Sequence, residues 1–276
     1  MITNGQAITL GTIQGLTEFL PISSSAHLVL IPWALNWEKN TLAFTVALHI
    51  GTVLATAIFF FFDWLMIIAS YIGDVRNGRW RGGTQGSLLL KVIVSCIPAA
   101  IVGKLFDERI EQYFYNTPAN YWMLAVTMAT FGLALVLAER FGAQSRDVKE
   151  VTYRDALMVG LLQCIALVPG TSRSGITIVA GLIMGLTRPA AARFSFLAAL
   201  PITFGAVLLK VGELKGTENW QPLIWGIVTS AIVGMIAIKV LLKYVQNRSY
   251  IVFAVYRWIA AAGIIALMFH KGFWKL

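Results

Sequence analysis

The chain consists of long apolar stretches separated by short polar ones. Six stretches, 41–62, 86–103, 121–138, 194–211, 223–242 and 250–269, approach the ~20 apolar residues that a helix needs to cross a bilayer. Trp33, Trp37, Trp64, Trp80, Trp122, Trp220, Trp225 and Trp274 fall mostly near the ends of these stretches, where an interfacial aromatic belt would lie. Two further apolar regions are interrupted. Region 8–33 contains Pro21 followed by Ser23, Ser24 and Ser25, and region 156–186 contains Pro169, Gly170, Thr171, Ser172, Arg173 and Ser174. Proline followed by hydroxyl side chains does not continue a lipid-facing helix. Irregular backbone at membrane depth needs protein or water around it. Both regions therefore predict broken, re-entrant helical segments. The expected fold is an all-α integral membrane protein, a polytopic helical bundle in which residues 1–276 form one transmembrane domain.

Composition supports this and removes the alternatives. Apolar residues make up 58% and charged residues 13%, about half the ~25% usual in soluble domains. Mean hydropathy is +0.73. So few charges exclude an ordinary soluble enzyme and a disordered chain. Two cysteines, Cys96 and Cys164, are too few for a disulfide framework or a zinc site and read as buried free thiols. The net charge of +9 comes without any nucleic-acid motif, so it belongs to membrane-flanking loops and no nucleic-acid partner is expected. The opening MITNGQAITLGTIQG lacks a basic n-region, so no cleavable signal peptide is expected.

Loop charges orient the spans. Segment 63–85 carries Arg76, Arg79 and Arg81, whereas 105–118 has Arg109 against Asp107, Glu108 and Glu111. Segment 139–154 carries Arg140, Arg146, Lys149 and Arg154; 212–222 has only Lys215; 243–248 is basic again. The positive-inside rule gives the order in, out, in, out, in, with both termini outside; Lys271 and Lys275 pull the other way. The two broken regions also resemble each other. Gln14, Pro21 and Ser24 can be set beside Gln163, Pro169 and Ser172 at an offset of about 150 residues, and the two units enter from opposite faces. This predicts inverted-topology repeats, 1–145 and 146–276, with a site near the midplane where the helices break.

The polar residues of these breaks carry the candidate chemistry. Glu18 sits in an apolar run, where a carboxylate costs ~2.5–3.5 kcal/mol and marks a functional site by default. Gln14 shares its helix face four residues earlier. His27 lies beyond the break, close to Ser23, Ser24 and Ser25, and an imidazole there serves as base or nucleophile. His49 and His270 read as ordinary core histidines, with His49 deep enough to keep in view. The second break supplies Arg173, whose planar fork matches phosphate or carboxylate, and Ser172, Ser174 and Thr177 add hydroxyls. A half-helix beginning near Gly175 would add backbone N–H donors. Together these make a phosphate-handling set with its own acid and base; a structural Arg173–Glu18 ion pair is the plainer alternative. Arg257 lies near one end of its span, where snorkelling and function are equally open.

QGLTE (14–18) resembles the (E/Q)xxxE motif of the undecaprenyl-diphosphate phosphatases of the bacitracin-resistance type. FLPISSSAH (19–27) continues it, and PGTSRSGIT (169–177) is similar to that family's PGxSRSxxT. The stretch LIMGLTRPAAARFSFLAALP (182–201) and the pair Tyr256–Arg257 match as well. The resemblance implies a bacterial inner-membrane enzyme that converts undecaprenyl diphosphate to undecaprenyl phosphate and inorganic phosphate. That reaction recycles the lipid carrier of cell-wall synthesis and confers bacitracin resistance. The implied site opens to the outer face and uses a divalent cation, Mg²⁺ or Ca²⁺. By motif, Glu18, Ser24, His27 and Arg173 are catalytic, Gln14, Ser23, Ser25, Ser172, Ser174 and Thr177 bind substrate, and Glu18 is a metal ligand. Gln14 occupies the first acidic position of the motif, where an amide oxygen replaces a carboxylate. The polyprenyl diphosphate and membrane lipids are the implied partners, with a homodimer also open. The sequence leaves Ser24, His27 and water as alternative nucleophiles. Acid-phosphatase-like membrane enzymes are excluded, because Gly181 stands where their motif needs lysine. A carrier or flippase of an anionic polyprenyl lipid is the alternative function.

Overall fold

A computed structural model describes residues 2–83, 85–115 and 118–273, and only the backbone of 107–115. The described chain is helical. Its elements are α1 (Asn4–Phe19), α2 (Ser24–Ala34), α3 (Leu42–Phe59), α4 (Phe61–Arg76), α5 (Ser87–Tyr115), α6 (Trp122–Phe141), α7 (Tyr153–Gln163), α8 (Arg173–Ile183), α9 (Arg188–Lys210), α10 (Gln221–Tyr244) and α11 (Ile251–His270). Six of them, α3, α5, α6, α9, α10 and α11, are long and apolar enough to cross a membrane, so the protein is a multi-pass membrane protein. They overlap the six stretches expected from the sequence, although α3 ends at Phe59, inside 41–62, and α9 begins at Arg188, six residues before 194.

Two expected loops are helical instead. Segment 63–85 is α4 as far as Arg76, because Leu65, Met66, Ile67, Ile68 and Ile72 continue an apolar helix and an Asp63–Arg193 ion pair ties it to α9. Segment 105–118 continues α5 to Tyr115, while the charges at Asp107, Glu108, Arg109 and Glu111 lie outside the described side chains. Trp274 and Lys275 also lie outside the described residues. Pro98 does not end α5. It packs beside Gly160 of α7, where an added Cβ would stand 3.0 Å from the proline ring and 2.7 Å from the Ser95 carbonyl oxygen. Both cysteines are free thiols, with Cys96 buried and Cys164 only half-buried.

The broken regions form two matched units. Thr3 caps α1 and Thr152 caps α7, each with a reciprocal capping box. Ser23 caps α2 and Ser172 caps α8 through their hydroxyls, and both capped helices are 11 residues long. The matching serines are therefore Ser23 and Ser172, one residue away from the pairing of Ser24 with Ser172 that the prolines suggest. Backbone geometry sets this register: Ser23 (φ 75°) and Ser172 (φ 74°) both reverse the chain in the left-handed region. Each unit packs across the molecule, α1 on α10 and α7 on α5. The α1–α10 contact is close because Gly15 meets the Ser230 carbonyl and Gly234 amide, each 2.8 Å from where a Cβ would be.

Candidate functional site

The two breaks meet around Glu18. Its Oε2 accepts hydrogen bonds from the Ser24 hydroxyl at 2.6 Å and the Gln14 amide at 3.1 Å, and its Oε1 accepts one from the Arg173 guanidinium at 3.3 Å. Ser24 and Arg173 are the first residues of α2 and α8. Two helix N-termini, with their free N–H groups, therefore converge on one carboxylate. Beside them opens a cavity of about 220 Å³. Its polar lining is Glu18, Ser23, Ser24, Ser25, His49, Ser172, Arg173 and Thr203, and Ala166, Ile202 and Ala206 complete it.

Most of the residues singled out in the sequence come together here, but Gln14, read as a substrate contact, is fully buried against Glu18 and does not line the cavity, and three others lie apart from it. His27 is absent from the lining. Its Nδ1 lies 2.7 Å from the Ser23 carbonyl and its Nε2 2.6 Å from the Tyr256 hydroxyl, with the two rings stacked. A carbonyl only accepts, so Nδ1 carries the proton and Nε2 accepts from tyrosine. Both nitrogens are engaged, and His27 does not contact the Ser24 hydroxyl. His27, read in the sequence as a base or nucleophile close to the serines, is therefore not the group on Ser24; that group is Glu18. Ser174 and Thr177 are 1% exposed and bond inward, Ser174 to the Leu20 carbonyl at 3.2 Å and Thr177 to Ser195 at 2.6 Å. They join the second break to its neighbours.

Two further side chains sit where the sequence does not place them. His49, read there as an ordinary core residue, lines the cavity with its Nε2 4.0 Å from Glu18 Oε2. The available signal was a histidine in an otherwise apolar span. Arg257 does not snorkel; it is 1% exposed. Its guanidinium donates to five carbonyls: Met128 (2.9 Å), Pro21 (3.1 Å), Gly170 (2.8 Å), Thr171 (3.1 Å) and Thr127 (3.5 Å). Pro21 belongs to the first break and Gly170 and Thr171 to the second, so one side chain pins both.

A family model, "Bacitracin resistance protein BacA", matches residues 7–263. The chain belongs to the BacA family. Relatives within it include a protein named undecaprenyl-diphosphatase from Geobacter metallireducens, 44% identical over 96% of this chain and 98% of that one. Those from Pelobacter propionicus (46%; 95% and 96%) and Moorella thermoacetica (44%; 95% and 97%) carry the same name. The match spans α1 to α11, so the breaks of this BacA protein and the helices that hold them lie within the shared region.

The donor set of this BacA site bears on a divalent cation. Among the described residues, no three His, Cys, Asp or Glu side chains cluster as a metal site. The cavity's lining includes one carboxylate, Glu18. Gln14 turns its amide nitrogen to Glu18, and its amide oxygen is fully buried with no hydrogen-bond partner among the described residues. Gln14 does not line the cavity, so Glu18 alone would hold an ion of the Mg²⁺ kind, which takes few protein ligands and completes its shell with water and substrate phosphates.

Proposed function

We propose that this chain hydrolyses undecaprenyl diphosphate to undecaprenyl phosphate and inorganic phosphate, recycling the lipid carrier for cell-wall synthesis and giving bacitracin resistance. The observation that carries the reading is Glu18 held between Ser24 and Arg173, the first residues of two half-helices, at a polar cavity. A hydroxyl, a carboxylate that takes its proton and side chains that orient the carboxylate form the constellation of nucleophilic catalysis. A carrier of the same lipid would need the arginine but not the hydroxyl–carboxylate pair.

In this reading the diphosphate lies across the N-termini of α2 and α8. Their N–H groups, the Arg173 guanidinium and the hydroxyls of Ser23, Ser25 and Ser172 receive its oxygens. The Ser24 hydroxyl attacks the terminal phosphorus, Glu18 takes its proton, and the bond to the bridging oxygen breaks. The lipid monophosphate leaves and the phosphoryl group stays on Ser24. Gln14 and Arg173 keep Glu18 aligned. A Mg²⁺ or Ca²⁺ ion held by Glu18 would neutralise phosphate charge. The halves 1–145 and 146–276 are inverted repeats, a reading supported by the matched caps of α1 with α7 and α2 with α8. The protein resides in the bacterial inner membrane with the cavity open to the outer face. Purified protein supplied with undecaprenyl diphosphate and a divalent cation should release phosphate, and Ser24→Ala and Arg173→Ala should lower turnover at least 100-fold. Lipid transport without phosphate release would refute the reading.

A further inference from the structure

His49 is the histidine that faces the cavity, and its geometry gives it a task. Its Nδ1 lies 2.9 Å from the Thr45 carbonyl one turn earlier on α3. That carbonyl accepts, so Nδ1 carries a proton, and in the neutral ring Nε2 presents a lone pair. Nε2 stands 4.0 Å from Glu18 Oε2, the same oxygen that receives the Ser24 hydroxyl at 2.6 Å. This gap is too long for a direct hydrogen bond and leaves Nε2 to take a hydrogen bond from water in the cavity. The side chain is 31% exposed, so water reaches it.

We propose that His49 holds the water that releases the phosphoryl group from Ser24. The inference rests on the serine route of the proposed function. The water donates one hydrogen to His49 Nε2, which aims its oxygen at the phosphorus beside Ser24. The oxygen–phosphorus bond forms as the bond from phosphorus to Ser24 Oγ breaks. Ser24 takes back the proton that Glu18 received in the first half-reaction, and both protons of the water leave on inorganic phosphate as dihydrogen phosphate. His27, with both ring nitrogens engaged elsewhere, does not compete for this role.

The test is acid-quenched kinetics on the full-length protein, using undecaprenyl diphosphate labelled in its terminal phosphate. His49→Leu should lower kcat about 100-fold with kcat/KM within about threefold, so that KM falls in step, and labelled phosphate should accumulate on the protein. His49→Gln keeps a side chain that accepts a hydrogen bond, so it should lose no more than about tenfold and hold little label. Three results would overturn the inference: wild-type turnover in His49→Leu, slow turnover without labelled protein, or His49→Gln stalling as far as His49→Leu. If His49→Leu does not fold, as judged by gel filtration, His49→Ala takes its place. Failure of the wild type to release phosphate would overturn the proposed function itself. Normal turnover in Ser24→Ala would instead overturn the serine route, and this inference with it.

Discussion

Replacing Arg257 with methionine tests the idea that a single buried cation sets both breaks. Methionine fills much of the same space and removes every donor. Four of the five hydrogen bonds are 3.1 Å or shorter, and a buried hydrogen bond contributes about 1 kcal/mol net, so the change should cost about 4 kcal/mol. The damage is not uniform. Ser23 and Ser172 occupy left-handed backbone that costs about 1–3 kcal/mol each and persists only when the surroundings enforce it. Arg257 grips carbonyls at Pro21, Gly170 and Thr171, one or two residues before those serines. Loss of the grip should let the half-helices drift, and a displacement of about 1 Å at a reacting group lowers rate about 100-fold. Thermal unfolding in detergent should drop by several degrees, and phosphate release well below the unfolding temperature should fall about 100-fold. Arg257→Lys, a point charge in place of a planar fork, should lie between wild type and Arg257→Met. Wild-type turnover in a folded Arg257→Met protein would refute the pin.

Three other outcomes follow from the geometry. His27→Ala should slow phosphate release by loosening the Ser23 carbonyl, and His27→Asn, whose amide can donate where Nδ1 does, should restore part of the rate; equal loss in both would contradict a positioning role. Gly51→Ala places a Cβ 1.8 Å from the Ser230 hydroxyl and 2.4 Å from the Ile227 carbonyl, so α3 and α10 must separate, at a cost of about 1–3 kcal/mol in an unfolding measurement. For Asp155, burial raises the carboxyl pKa, but the Arg146 guanidinium 2.5 Å away and the Thr152 backbone and hydroxyl outweigh it and hold it below its ordinary value. The stability from this group is therefore present above the ordinary carboxylate range of ~3.9 and is lost as pH falls through the lower folded value. Asp155→Asn should be less stable than wild type near neutral pH, and the difference should shrink on acidification; a gap independent of pH would contradict this.

Much of the protein was legible without coordinates. Six spans could be read because a lipid-facing helix must be apolar along its whole length, a constraint that acts on composition alone. The breaks were legible for the converse reason: Pro21 with three serines, and Pro169 with Ser172 to Ser174, cannot lie in hydrocarbon as regular helix. Glu18 and Arg173 stood out because charge at membrane depth is too costly to keep without a partner. The helix α4 was missed because its charged residues, Asp63, Asp74 and Arg76, resemble those of a loop, while its apolar residues make a peripheral helix.

What depends on the solvent around each segment is written in the chain: a helical membrane protein, where its helices fail, and which charges are anomalous. Which groups meet depends on how the helices pack. Glu18 and Arg173 are 155 residues apart, and no local rule places them 3.3 Å from each other. Equally, nothing local distinguishes His27, saturated by Ser23 and Tyr256, from His49, which faces the cavity. Hydrogen bonding is short-ranged and directional, so a histidine's task depends on where its two nitrogens point after the helices pack, and chain position does not encode that direction.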